Sequence, residues 1–143
     1  MKIYFSHPTF TYSTKTESRG IEIIKEAFRG DYDSIEVINP SKFGFKINPV
    51  KKIKMADKIV GMAVSNKLLY LVWKEIELGE QFDAEPYVFY VENKDSLGPL
   101  VKDVPEDIEK LDKDESRVFS NHILRGRKES FISMIIGNRG GRF

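Results

Sequence analysis

The apolar positions of the chain fall into short blocks separated by polar punctuation. Ile3, Tyr4 and Phe5 run without a polar break, which predicts a short buried strand over residues 2–5. Residues 6–17 are rich in Ser, Thr and Pro and read as a loop. That is long for a strand-to-helix link, and long loops in small domains are usually functional or flexible. Ile21, Ile24, Ala27 and Phe28 then recur at helical spacing, with Glu22, Lys25 and Glu26 on the other face, and Gly30 ends this helix. Ile35, Val37 and Ile38 predict a second strand over residues 34–39, stopped at Pro40. A loop with Phe43, Gly44 and Phe45 follows, and Pro49 suits the first turn of a short helix reaching about Ala56.

Residues 57–64 hold Ile59, Val60, Met62 and Val64 with little alternation, as in a strand buried on both faces. Ser65, Asn66 and Lys67 form a turn, and a helix runs from there to about Gln81 with Leu69, Val72, Trp73 and Ile76 as its apolar stripe. Residues 86–92 make a fourth strand. Strand and helix alternate throughout this part. The expectation is therefore an α/β fold, a three-layer sandwich around a parallel, flavodoxin/Rossmann-like sheet. Beyond Asn93 the pattern weakens. Residues 94–99 read as a loop, and Pro105 as a helix start in an acidic stretch. Residues 119–124 read as a strand or the start of a helix, and residues 128–136 as a last helix or strand. Residues 1–136 are expected to form one domain, with residues 137–143 as a flexible tail.

Composition narrows the chemistry. Lys plus Arg is 23 and Asp plus Glu is 22, a net charge of +1, which argues against nucleic-acid binding as the main task. Cysteine is absent, so thiol nucleophiles, disulfide scaffolds and zinc fingers are excluded. With only two histidines, His7 and His122, no metal site is expected. The phosphate-cradling patterns G-x-x-x-x-G-K-[ST] and G-x-G-x-x-G are missing, as is G-x-S-x-G, and no cofactor is expected. Nothing resembles a secretory leader, and no window approaches the run of about 18 apolar residues that a membrane span needs. The expected location is cytoplasmic, away from membranes.

In an open parallel sheet, ligands bind outside the carboxyl ends of the strands. Those ends carry Ser6–His7–Pro8, Asn39–Pro40, Ser65–Asn66 and Asn93. Glu75 lies beside the apolar stripe of its helix, while Glu77 falls further round toward solvent. A half-buried carboxylate there suits a nucleophile or base; the plainer reading is a solvated surface residue beside Lys74. His7 reads as a hydrogen-bond donor or acid–base group, or as a loop histidine without a role. Tyr4, Phe10 and Tyr12 suit a stacking wall for a base, although core packing explains Tyr4 equally well. Arg125, Arg127, Lys128, Arg139 and Arg142 make the C-terminal quarter basic, as in a solvated tail or, less commonly, an RNA contact.

Several motifs occur in an order that resembles the nucleoside 2-deoxyribosyltransferase family and its relatives that hydrolyse deoxynucleoside monophosphates. Lys2-Ile3-Tyr4-Phe5-Ser6-His7-Pro8-Thr9-Phe10 is similar to the family's K-I-Y-L-A-G-P-x-F opening, with His7 in place of Gly. Glu17-Ser18-Arg19, Val37-Ile38-Asn39-Pro40 and Ala56-Asp57-Lys58-Ile59-Val60 resemble later family segments. Trp73-Lys74-Glu75-Ile76 is similar to the helix that carries the family's glutamate, and Pro86-Tyr87-Val88 to the strand that follows. The resemblance implies N-glycosidic bond cleavage or transfer on a nucleoside or nucleotide, with Glu75 as nucleophile. It further implies that Tyr4, Ser6, His7, Pro8 and Phe10 line a base pocket, with Ser65 and Asn66 near the sugar. The expected partners are a small nucleoside or nucleotide and further copies of the chain, in a dimer or larger. Leu69-Tyr70-Leu71-Val72 stands where the family has its D-x-G-T hydroxyl-binding motif. That departure favours the alternative, a catalytically silent nucleotide-binding or interaction module on the same fold.

Overall fold

In the computed structural model, β1 (Lys2–Ser6) is buried along most of its length, as its uninterrupted apolar run requires. The structure describes residues 1–30, 34–43, 48–93 and 96–135, with residue 93 and residues 127–135 given by backbone alone. The expected tail at 137–143 and the loop positions 44 and 45 lie outside the described residues, as do the side chains of most of the basic C-terminal quarter. On its two sides β1 pairs in parallel with β2 (Glu36–Ile38) and β3 (Lys58–Val64). All seven residues of β3 are buried. The strand β5 (Glu85–Asn93) pairs in parallel with the far side of β3, from Lys58↔Glu85 to Val64↔Val91. The chain therefore winds outward from β1 in one direction to β2 and in the other to β3 and β5. Such a reversal of winding opens a crevice at the carboxyl ends of the central strands.

The fold is α/β with a mixed, mostly parallel sheet flanked by helices, not the all-parallel sheet expected. The first departure is β6 (Ser96–Lys102), which returns antiparallel along β5 in a stretch read partly as loop. Gly98 and Pro99 hide it from a pattern reading. Proline lacks an N–H to donate, but an edge strand has a side where none is needed. The second departure is a hairpin. Ser65 and Asn66 hold φ angles of 51° and 60°, and the chain doubles back into β4 (Lys67–Leu68), paired antiparallel with β3. Two successive left-handed residues make the tight turn that matches strand twist. The strand β7 (Glu109–Lys110) then pairs in parallel with β4, where Pro105 was expected to start a helix.

The helices follow local signals where those exist. In α1 (Lys15–Phe28), the Thr14 hydroxyl accepts from the Glu17 N–H at 3.3 Å, so the helix begins earlier than residue 18. In α2 (Pro49–Lys54), Pro49 fills the first turn behind an Asn48 cap. The two C-terminal segments belong to one helix, α4 (Lys113–Ile135). It starts with a reciprocal box: the Glu115 N–H donates to Asp112 Oδ1 at 2.8 Å and the Asp112 N–H to Glu115 Oε1 at 3.0 Å. By contrast, α3 (Tyr70–Gln81) has no capping side chain of its own at Leu69. Ser116 of α4 supplies one, accepting from the Tyr70 N–H at 2.8 Å. Among the described residues no helix is long and apolar enough to cross a membrane.

Register places the helices on opposite faces. Tyr4, Ser6, Ile59 and Gly61 point to one side of the sheet, and Phe5, Val60 and Phe89 to the other. Gly20 of α1 lies over Phe5 and Phe89, while Val72, Ile76 and Gly79 of α3 lie over Gly61 and Ile59. A Cβ at position 61 would sit 2.4 Å from Ile76 Cδ1, and Ile76 is itself buried. Only glycine lets α3 come this close. Gly61→Ala is expected to cost about 1–3 kcal/mol through overpacking. Urea denaturation checks this; an unchanged midpoint would show that α3 shifts without penalty.

Candidate functional site

The close seating of α3 brings Glu75 against β1. Tyr4 and Ser6, two residues apart on one face of the strand, both turn their hydroxyls toward it. Tyr4 Oη donates to Glu75 Oε2 at 2.9 Å, and Ser6 Oγ donates to Oε1 at 2.7 Å. Each carboxylate oxygen thus has a hydroxyl donor. Burial pushes the Glu75 carboxyl above the usual glutamate range, and the two hydroxyl bonds oppose that push without cancelling it. Burial first, and the Glu75 charge second, drive the Tyr4 phenol far above its ordinary value, so it remains a donor at neutral pH. Glu77 points elsewhere, 3.9 Å from Lys74 and 4.0 Å from Lys110 on the surface.

Glu75 and Tyr4 line a cavity of about 780 Å³ at the carboxyl end of β1. His7, Pro8 and Tyr12 border it on the loop side, and Pro40 and Phe43 add further apolar wall. Lys113, Ser116, Arg117 and Ser120 of α4 line it as well. These four recur at helical spacing, so one face of α4 looks into the space. The cavity combines a carboxylate, aromatic and proline walls, and a border with two cations.

His7 belongs to the opposite face of β1. Its ring stacks on Phe5 with centroids 4.2 Å apart. Nδ1 lies 2.7 Å from Thr11 Oγ1, and Nε2 lies 2.9 Å from Asn39 Oδ1 and 3.5 Å from Glu17 Oε2. Asn39 Oδ1 also accepts from the Ser41 N–H at 3.2 Å. Both ring nitrogens are therefore engaged inside the protein. The His7 side chain is fully buried, and its nitrogens tie the loop together. Desolvation lowers its pKa, against the opposing pull of Asn39 and Glu17.

The other sequence candidates divide. Ser6 is fully buried and reaches the site through Glu75, and Pro8 borders the cavity. Phe10 is not in the cavity lining; it is buried, with its ring 6.3 Å from that of Phe119 on α4, where it anchors that helix. Ser65 and Asn66 are also outside the lining, since their left-handed backbone is spent on the β3–β4 turn. There Ser65 N–H donates to Val91 O at 3.0 Å, and Asn66 Nδ2 to Asp107 O at 3.3 Å. Leu69, Tyr70 and Leu71 occupy the border that those two were expected to provide.

The sequence reading placed Glu17 in a family-like helix entry without a role in the site, and it did not single out the α4 face. Thr14-Lys15-Thr16-Glu17 spells a capping-box signal, but the Glu17 carboxylate turns inward to His7. The α4 residues had a signal in Asp112–Glu115 and in the recurrence of polar side chains after it. Among the described residues no cluster of three or more metal-ligating side chains forms.

The raised Glu75 pKa sets a sign for stability. Between the ordinary glutamate value of about 4.3 and its higher folded value, the folded chain holds a proton that the unfolded chain has lost. Stability therefore falls as pH rises through that window. Glu75→Gln is expected to melt above the wild type at pH 7, with the gap closing below about pH 4.3. Paired thermal melts at the two pH values check it, and a gap that widens in acid refutes it. In comparison with known proteins, no family model matches the chain, and no curated protein or solved structure does so either.

Proposed function

We propose that the chain cleaves or transfers the N-glycosidic bond of a (deoxy)nucleoside or nucleotide in the cytoplasm, with Glu75 as nucleophile. The fold is read as a three-layer, Rossmann-like sandwich of the nucleoside 2-deoxyribosyltransferase type. The observation that carries this reading is the Glu75 carboxylate, held between the Tyr4 and Ser6 hydroxyls beside a cavity of about 780 Å³. Departure of a base leaves positive charge on the anomeric carbon, and an adjacent carboxylate stabilises that charge and captures the carbon as an ester. Two hydroxyl donors orient the carboxylate and leave lone pairs free to attack. Aromatic and proline walls suit the faces of a base. The cations on the α4 side favour a phosphorylated substrate over a bare nucleoside.

Purified protein incubated with deoxynucleosides and their monophosphates is expected to release free base, read by chromatography. Glu75→Ala is expected to lower the rate by roughly 10³-fold or more, as loss of a nucleophile does. No release from any substrate sinks the enzymatic reading.

The second reading is a catalytically silent nucleotide-binding module. It is favoured by the absence of Ser65 and Asn66 from the cavity lining and by Leu69–Tyr70–Leu71 bordering it instead. Nucleotide binding by calorimetry without turnover identifies it. In either reading, Lys113→Ala with Arg117→Ala is expected to weaken a monophosphate several-fold while sparing the nucleoside, as loss of charge-assisted contacts does. Equal weakening of both ligands would remove the phosphate assignment.

A further inference from the structure

Cleavage of a glycosidic bond needs a proton for the departing base as well as a nucleophile for the sugar. The inner groups nearest Glu75 are committed elsewhere. The hydroxyls of Tyr4 and Ser6 are given to Glu75, and both nitrogens of His7 are tied to the loop. Tyr12 differs. It borders the same cavity and is only half-buried, and among the described residues no hydrogen bond holds its hydroxyl. Its ring is set against His7, with centroids 4.8 Å apart at 58°, and His7 is itself clamped. The next residue, Ser13, turns the chain with φ of 58°. The phenol is thus fixed in direction while its proton remains uncommitted.

We propose that the Tyr12 hydroxyl is a catalytic proton donor to the leaving base, a role that rests on the glycosidic-bond reading above. In the first step a Glu75 oxygen bonds to the anomeric carbon as the carbon–nitrogen bond breaks. The electron pair of that bond stays on the base, which takes the Tyr12 proton and departs neutral. In the second step water attacks the anomeric carbon and the ester bond breaks. Its electron pair returns to Glu75, and the proton lost by the water restores the phenol.

Electrostatics fits this order of events. Burial, followed by the charges of Glu75 and Glu17, pushes the Tyr12 phenol up to about 12, so it begins protonated at neutral pH. Ester formation consumes the Glu75 charge. One of the two charges that oppose a tyrosinate disappears as the base comes to need a proton. A pH-dependent test must reckon with both carboxylates, since Glu75 faces Tyr12 from α3 and Glu17 from α1.

The test uses the full chain, wild type and Tyr12→Phe, with two deoxynucleoside monophosphates. One carries guanine, whose departure needs a proton. The other carries N7-methylguanine, which starts cationic and leaves neutral without one. Tyr12→Phe is expected to lower kcat by roughly 10²-fold on the first and to stay within about threefold of wild type on the second. A merely structural role predicts equal losses, because packing does not distinguish the two leaving groups. Equal losses on both substrates, or no loss on the guanine substrate, overturn the assignment of Tyr12. Wild-type protein that releases no base from these or any other deoxynucleoside monophosphate overturns the glycosidic reading itself, and the assignment with it.

Discussion

Helix α3 lies on the sheet with no side chain at position 61 to hold it off, and the site depends on that contact. Ile76 fills the space above Gly61, and Gly79 brings the next turn down onto Ile59. At that depth Glu75 meets the hydroxyls of Tyr4 and Ser6. Further out, the same carboxylate would be hydrated, with little to raise its pKa or orient it. Backbone packing thus sets the chemistry of one side chain: partly desolvated, doubly hydrogen-bonded and open to a cavity.

The loop after β1 is the second constraint. Its residues are small and polar, which in isolation describes a mobile segment. His7 ties it down, reaching Thr11 within the loop and Asn39 at the end of β2, with Glu17 of α1 close by. A histidine with both nitrogens engaged is a brace, and it holds Tyr12 at the cavity wall. The third constraint comes from α4, which caps α3 through Ser116 and packs on Phe10 through Phe119. The Trp73 indole N–H donates to Leu111 O at 2.7 Å, fastening α3 to the chain just before α4. These contacts bring distant polar residues onto the border of a site whose nucleophile candidate lies on another helix.

Much of the fold was legible in the sequence because its signals are local. Unbroken apolar runs at Ile3–Tyr4–Phe5 and across β3 identify strands buried on both faces. Recurrence of Val72 and Ile76 identifies the buried stripe of α3 and leaves Glu75 on its flank. The motif order likewise drew attention to Glu75, Tyr4, Ser6, His7 and Pro8, all of which lie at or directly beneath the cavity. What escaped was non-local. The strand β6 depends on pairing with β5, and its Gly98–Pro99 pair argues against a strand until an edge is available. The turn at Ser65 and Asn66 was legible, but only the paired backbone shows that it returns the chain antiparallel into β4 and leaves both residues outside the cavity lining.

The sequence by itself determined the main run of strands and helices up to β5, apart from the short β4, together with their buried faces and the absence of thiols. Those properties are written in residue type and period. The tertiary structure decided the direction of β6, the cap on α3, the inward turn of Glu17 and the separation of Phe10 from the cavity. It also decided that His7 braces the loop through its nitrogens while, among the described residues, no hydrogen bond holds the Tyr12 hydroxyl. Each of these depends on which distant group occupies a hydrogen-bonding position, and chain spacing carries no record of that. Ser116 lies 46 residues from the amide it caps, and Glu75 lies 71 and 69 residues from the two hydroxyls that define it.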